Sequence, residues 1–156
     1  MEFFNFVPNV NGDIILKIKD NYVLEVLENK TIKIKNKVIT INDKEKLKNY
    51  DYSFSEIKKF KVDNKLIRID NYRRGIDFIH NLIDDGVKII SNTKLNIKTI
   101  PYNQKGFSYN EKVGLSIQNV DAAKSLEEIC SQAVINKIKL DLEIKLNNGI
   151  ELNIVL

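Results

Sequence analysis

The stretch Ile138–Leu156, IKLDLEIKLNNGIELNIVL, decides the fold. Ile138, Leu140, Leu142, Ile144 and Leu146 alternate with Lys139, Asp141, Glu143 and Lys145, the period of a strand with one apolar face. Asn147-Asn148-Gly149 is a three-residue loop in which Gly149 supplies the left-handed residue such a hairpin wants. That loop length sets the register. It puts Ile150 across from Leu146, Leu152 from Ile144, Ile154 from Leu142 and Leu156 from Leu140, with Glu151 facing Lys145 on the polar side.

Two amphipathic helices are available to cover the apolar face. In Asn71–Asp85 the residues Tyr72, Ile76, Phe78, Ile79, Leu82 and Ile83 share one arc, opposite Arg73, Arg74, Asp77, Asn81 and Asp84. Asn71 is the expected N-cap, and Gly86 stands where a left-handed C-cap would end the helix. The second helix spans Ala122 to Ile135, with Asp121 as N-cap and an inner arc of Ala122, Leu126, Ile129, Cys130 and Ala133. Val87–Ile90, Lys94–Ile100 and Val113–Gln118 read as strands between the helices, with the loop Pro101–Asn110 among them.

Working back to the N-terminus, Asp13–Lys19, Tyr22–Leu27, Thr31–Lys35 and Lys37–Ile41 alternate with period two, separated by Asn- and Asp-containing turns. A turn after Lys35 would place Ile34 opposite Ile39 and Ile32 opposite Ile41. Asp43–Asp51 is polar, with a helical turn around Leu47. Ser53 and Glu56 have capping-box spacing, but the extended KLIRID that follows favours a strand over Lys58–Val62 and a hairpin turn at Asp63-Asn64.

The chain has 156 residues, 43% of them apolar, enough for a core of its own. Lys+Arg is 25 against Asp+Glu at 21, a net charge of +4, and the only arginines are Arg68, Arg73 and Arg74. The abundance of Lys, Asn and Ile is the signature of an AT-rich coding sequence, which lowers the weight of any lysine stripe. One cysteine, Cys130, cannot form an internal disulfide and fits a reducing, cytoplasmic compartment. No apolar run reaches a membrane span, and MEFFNFVPNV lacks the basic and apolar regions of a secretory leader.

The order of short strands and one closing helix in residues 3–85, and in particular FSEIKKFKVDNKLIRID followed by DFIHNLID, resembles a bacterial pleckstrin-homology-like domain. The resemblance implies a bent sheet covered at one end by the helix, and an adaptor or protein-interaction role. Lipid-binding members of that family carry a Lys…Arg-x-Arg arrangement near the first hairpin. Here Lys17 and Lys19 stand without an arginine.

Chemistry-bearing motifs are sparse. The single histidine, His80, has Asp77 and Asp84 within one helical turn, a spacing that would orient an imidazole for acid–base work or sit on a solvated helix edge with ion pairs such as Arg73–Asp77. Cys130 falls on an apolar arc far from His80, which makes it a buried thiol rather than a nucleophile. Glu127-Glu128 reads as a solvated helix face. The Pro101–Asn110 loop mixes Tyr102, Phe107 and Tyr109 with Lys105 and amides, the composition of a protein-binding loop. Arg73 and Arg74 are a second such candidate, because arginine is scarce elsewhere in the chain.

These readings predict an α+β fold: an antiparallel β-meander and a C-terminal β-hairpin with two helices packed on the sheet. One domain over 1–156 is expected, and the break at Asp84-Asp85-Gly86 would subdivide it into 1–85 and 86–156. The expected function is non-catalytic protein binding, of the inhibitor or immunity type that neutralises a partner protein, without cofactor or metal. Its contact residues would be Tyr102, Lys105, Phe107, Tyr109, Arg73 and Arg74, and its charge favours an acidic partner. A nucleic-acid or anionic-surface binder using Lys17, Lys19, Lys33, Lys35 and Lys37 is the second reading, and an enzyme centred on His80 the third. Edge strands leave a homodimer open.

Overall fold

Gly149 takes φ +88°, and the C-terminal hairpin forms in the register its loop dictates. The computed structural model describes residues 4–8, 14–26, 28 and 32–156. Two antiparallel ribbons come first, β1 (Phe4–Pro8) with β2 (Ile14–Ile18) and β3 (Tyr22–Val26) with β4 (Ile32–Asn36). Next are β5 (Val38–Ile41), a 3-10 helix over Lys44–Asn49, β6 (Glu56–Val62) and β7 (Lys65–Leu66). Then come α1 (Tyr72–Ile83), α2 (Gly86–Ser91), β8 (Ile97–Lys98), β9 (Phe107–Asn110) and β10 (Leu115–Gln118). The chain closes with α3 (Ala122–Ile135) and the hairpin of β11 (Leu140–Lys145) and β12 (Glu151–Val155). The fold is α+β.

The hairpin lies inside a five-stranded sheet of order β5-β12-β11-β6-β7, antiparallel except where β5 runs parallel to β12. Lys145 faces Glu151, Ile144 faces Leu152 and Leu142 faces Ile154, and backbone bonds between Leu140 and Leu156 close the open end. β6 carries a bulge against β11: Glu143 pairs with Lys59 but Ile144 with Ile57, leaving Lys58 extra. The bulge lets Ile57 and Phe60, three apart in sequence, both turn inward. At Asp63-Asn64 both residues adopt positive φ, +47° and +67°, which makes the β6–β7 connection the two-residue turn that fits strand twist.

The N-terminal meander is not formed as expected. Neither Asn36 nor Lys37 takes the positive φ that a tight hairpin there would require, so β4 and β5 do not pair. Instead the Lys37 amide donates to the Asn21 carbonyl and its carbonyl accepts from Glu151, so the chain leaves the β3–β4 ribbon and joins the main sheet. The gain is Ile41, buried beside Ile154 rather than left on a two-stranded ribbon.

Val87–Ile90 is helical, not a strand. Asp84, at φ +51°, ends α1 in place of Gly86, and the Asp85 carboxylate then accepts from the Lys88 amide to start α2. Gly86 is needed for space: a Cβ there would stand 2.8 Å from the Val113 carbonyl oxygen. The strand expected over Lys94–Ile100 shrinks to Ile97–Lys98, paired with β10 in the small sheet β8-β10-β9.

α1 and α3 lie over the inner face of the large sheet. Ile76, Ile79, Leu126, Ile129, Cys130 and Ala133 form one buried cluster with Phe60, Leu140, Leu142, Ile144, Leu152 and Ile154. The cluster draws on residues from both sides of the break at 84–86. The helices approach closely at Gly75, where an added Cβ would stand 2.9 Å from Ile129 Cδ1 and 3.1 Å from Phe60 Cε2. Gly75→Leu, which cannot fit without moving α1 off the sheet, is expected to lower unfolding stability by about 1–3 kcal/mol in denaturant titration. Unchanged stability would contradict this packing.

Candidate interaction surface

Of the three chemical leads, the His80 lead changes most. His80 is buried, and its Nε2 meets Glu128 Oε1 at 2.8 Å across the α1–α3 interface, so neither Asp77 nor Asp84 orients it. Thr93 donates to Glu128 Oε2 at 2.8 Å, and Gln132 donates to Oε1 at 3.0 Å. Glu128 is therefore no solvated residue: it is a buried acceptor satisfied by three side chains from three segments. The Gln132 amide also reaches the Ile89 carbonyl at 3.2 Å, which ties α2 to α3. This constellation pins helices together.

The Cys130 thiol is fully buried, and burial pushes its pKa up to about 12. A thiol held neutral is neither nucleophile nor ligand. No group of three or more His, Cys, Asp and Glu residues that could hold a metal occurs among the described residues. No described helix is long and apolar enough to cross a membrane.

The lysine stripe is divided between different ribbons. Lys17 lies on β2, and Lys33 and Lys35 lie on β4. The side chains of Lys17 and Lys33 fall outside the described residues. Lys19 follows β2 and is half-buried, Lys35 pairs with Glu25 at 2.5 Å, and Lys37 is exposed at the crossover to β5.

The aromatic loop and the two arginines come together. Ser116 is buried and its hydroxyl bridges the loop, donating to the Ile100 carbonyl and accepting from the Tyr102 amide. Tyr102 and Phe107 meet edge to face at 5.4 Å, and the Lys98 ammonium lies 4.3 Å from the Tyr102 ring centre. Lys98 and Lys105 make no ion pair among the described residues. Tyr109, on β9, is half-buried, and its amide donates to Asn103 Oδ1. Arg73 is spent inside the molecule: its fork donates to the carbonyls of Ile117 and Ser108 and pairs with Asp77 at 3.3 Å. Arg74 is exposed, in a surface pair with Asp70 at 3.1 Å. A cleft of about 510 Å³ lies where α1 and α3 begin, and Arg73, Arg74, Gln118 and Asn119 line it. Gln118 donates to the Lys105 carbonyl and Asn119 to that of Gly106, which carries the aromatic loop to the rim of the cleft.

One residue at this end has no signal in the sequence. Phe54 is 87% exposed and sits at φ +57° on the turn before β6. Few residues other than glycine, asparagine and aspartate adopt that backbone, and a phenylalanine there is strained. The turn is held by its neighbours. The Ser53 amide donates to Asp51, the Ser55 amide and hydroxyl donate to the Tyr52 carbonyl, and Ser55 Oγ lies 2.6 Å from the Tyr72 hydroxyl on α1. Tyr72 also lines the cleft with Arg74.

Comparison with protein-family models, with curated proteins and with solved structures returns no match. Cys130 should resist a thiol reagent at mildly alkaline pH in the native state and react stoichiometrically once the chain unfolds. Because only the unfolded thiol loses its proton near its ordinary value of about 8.5, the stability linked to Cys130 should fall as pH rises from there toward 12. Native labelling at the rate of a free thiol would contradict the burial.

Proposed function

We propose that the chain is a non-catalytic protein-binding module, and that its contact surface is the end where α1 and α3 begin. The carrying observation is Phe54: a large apolar side chain almost wholly in solvent, on a left-handed backbone held by four hydrogen bonds. Strain combined with exposure of an aromatic is explained by recognition, where rigid aromatic anchors carry binding energy at low entropic cost. The Phe54 turn is tied through Ser55 to Tyr72, which lines the cleft with Arg74, and the loop that carries Tyr102, Lys105 and Phe107 reaches the rim of that cleft through Gln118 and Asn119. With Lys98 over the Tyr102 ring, these half-buried rings and accessible cations suit an acidic protein surface.

The mode of action is stoichiometric occlusion, as in an inhibitor or an immunity-type neutraliser. The sequence pattern of residues 3–85, which resembles bacterial pleckstrin-homology-like domains, is an associational pointer to the same class. The cytoplasm is the compartment that the single buried thiol suits.

Phe54→Gly separates binding from folding. Glycine relieves the left-handed strain, so thermal stability should stay within about 1 kcal/mol of the parent or rise. Affinity capture from the native lysate should lose the protein that the parent chain retains at high salt. Lys98→Glu with Lys105→Glu should lose the same protein, while Lys61→Glu, on β6, should keep it. An identical captured protein with Phe54→Gly would overturn the proposal.

A further inference from the structure

A second concavity, of about 440 Å³, opens between the 3-10 helix and α3. Its floor belongs to the core: Leu47, Tyr52, Leu126 and Cys130 are all buried side chains that also line the groove. The Tyr52 hydroxyl is turned away to the Leu47 carbonyl at 2.6 Å, so the floor is apolar. The rim is charged and unbalanced. Lys94 is taken up by Glu127 at 2.6 Å, whereas Glu45, at 3.9 and 4.0 Å, is the sole carboxylate within 4 Å of Lys44 and Lys48 among the described residues. Lys124 has no ion-pair partner among the described residues. A second lobe of about 380 Å³ continues to Leu95 and Ile135, and there the buried Glu128 carboxylate forms part of the wall. Three lysines meet three glutamates around the second lobe and four meet two around the first, so an anion favours the first.

We propose that this groove binds a small amphipathic anion: a single-ring or short-chain apolar body carrying one carboxylate or phosphate. The body rests on Leu47, Leu126 and Tyr50, and the charge sits between Lys48 and Lys124. The volume falls in the range of small-ligand sites, and an apolar floor with a few placed charges is their usual chemistry. The surplus of lysine over glutamate selects the sign of the ligand. The site is independent of the contact surface proposed above, since its lining includes none of Phe54, Arg74, Lys98 or the aromatic loop.

Amide chemical-shift titration of the full chain tests this with three probes: 4-phenylbutyrate, phenyl phosphate and the neutral 4-phenylbutanol. Shifts from the anions should be confined to the 3-10 helix, Tyr50 and Ala123–Ser131, and at least one anion should bind about tenfold more tightly than the alcohol. Which anion binds more tightly distinguishes carboxylate from phosphate. Lys48→Glu with Lys124→Glu should remove the preference for the anions, and Ala123→Trp, at an exposed helix position, should block all three probes. Lys112→Glu should change nothing. Shifts scattered over other faces, no shifts at millimolar probe, equal affinity for the alcohol, or binding that survives Ala123→Trp would each overturn the proposal.

Discussion

The antiparallel pairing of β6 with β11 is the constraint from which the rest of the structure follows. Lys59 faces Glu143 across the ladder and pairs with it at 3.1 Å, and it pairs diagonally with Asp141, 82 residues away in sequence, at 3.2 Å. Closing so long a loop costs chain entropy before any contact repays it. The return comes from Phe60, Val62, Leu140, Leu142 and Ile144, which lose almost all contact with water as the two strands meet under α1 and α3. The Lys58 bulge lets this happen without turning Ile57 outward, and Gly75 lets α1 come close enough to seal the face.

With the sheet and helices in place, the polar groups divide sharply by role. Glu128 is taken up between the helices by His80, Thr93 and Gln132, while His80 Nδ1 is buried without a hydrogen-bond partner among the described residues. Arg73 is likewise consumed, clamping α1 to β9 and β10. What remains accessible is Arg74 at the start of α1, Lys98 and Lys105 with the half-buried Tyr102–Phe107 pair, and Phe54. Folding gains little from that collection, since its cations lack buried ion-pair partners among the described residues and the Phe54 ring is in water. The recognition by shape and charge proposed above would use all of it.

The hairpin at 138–156 was legible to the residue, because alternation and loop chemistry are local and agree with each other. The same holds for the Asn71 and Asp121 caps, whose side chains accept from Arg74 and Lys124. What sequence could not show was tertiary. The alternation in Val38–Ile41 is equally content beside β4 or β12, and only the backbone at Asn36-Lys37 decides. Asp84-Asp85-Gly86 carried the residues of a helix end and a helix start at once, and one rule claimed them for the end alone. Glu127 and Glu128 look alike in sequence, but about 100° around the helix turns one to solvent and the other into the core. Phe54 sits in a stretch with capping-box spacing, which gives no hint of a left-handed phenylalanine. At the candidate surface, residue type pointed to the aromatic loop, while the sharpest feature lay some fifty residues away in sequence.

The central claim, that this end of the molecule is where a protein partner sits, is tested most directly by site-specific photo-crosslinking in the native lysate. A photoreactive phenylalanine would replace Phe54 or Tyr102, with Val87, exposed on α2 and just beyond the C-terminal end of α1, as the comparison. The account predicts one shared protein adduct from positions 54 and 102 and none from position 87. An adduct from position 87 with none from position 54 would contradict it.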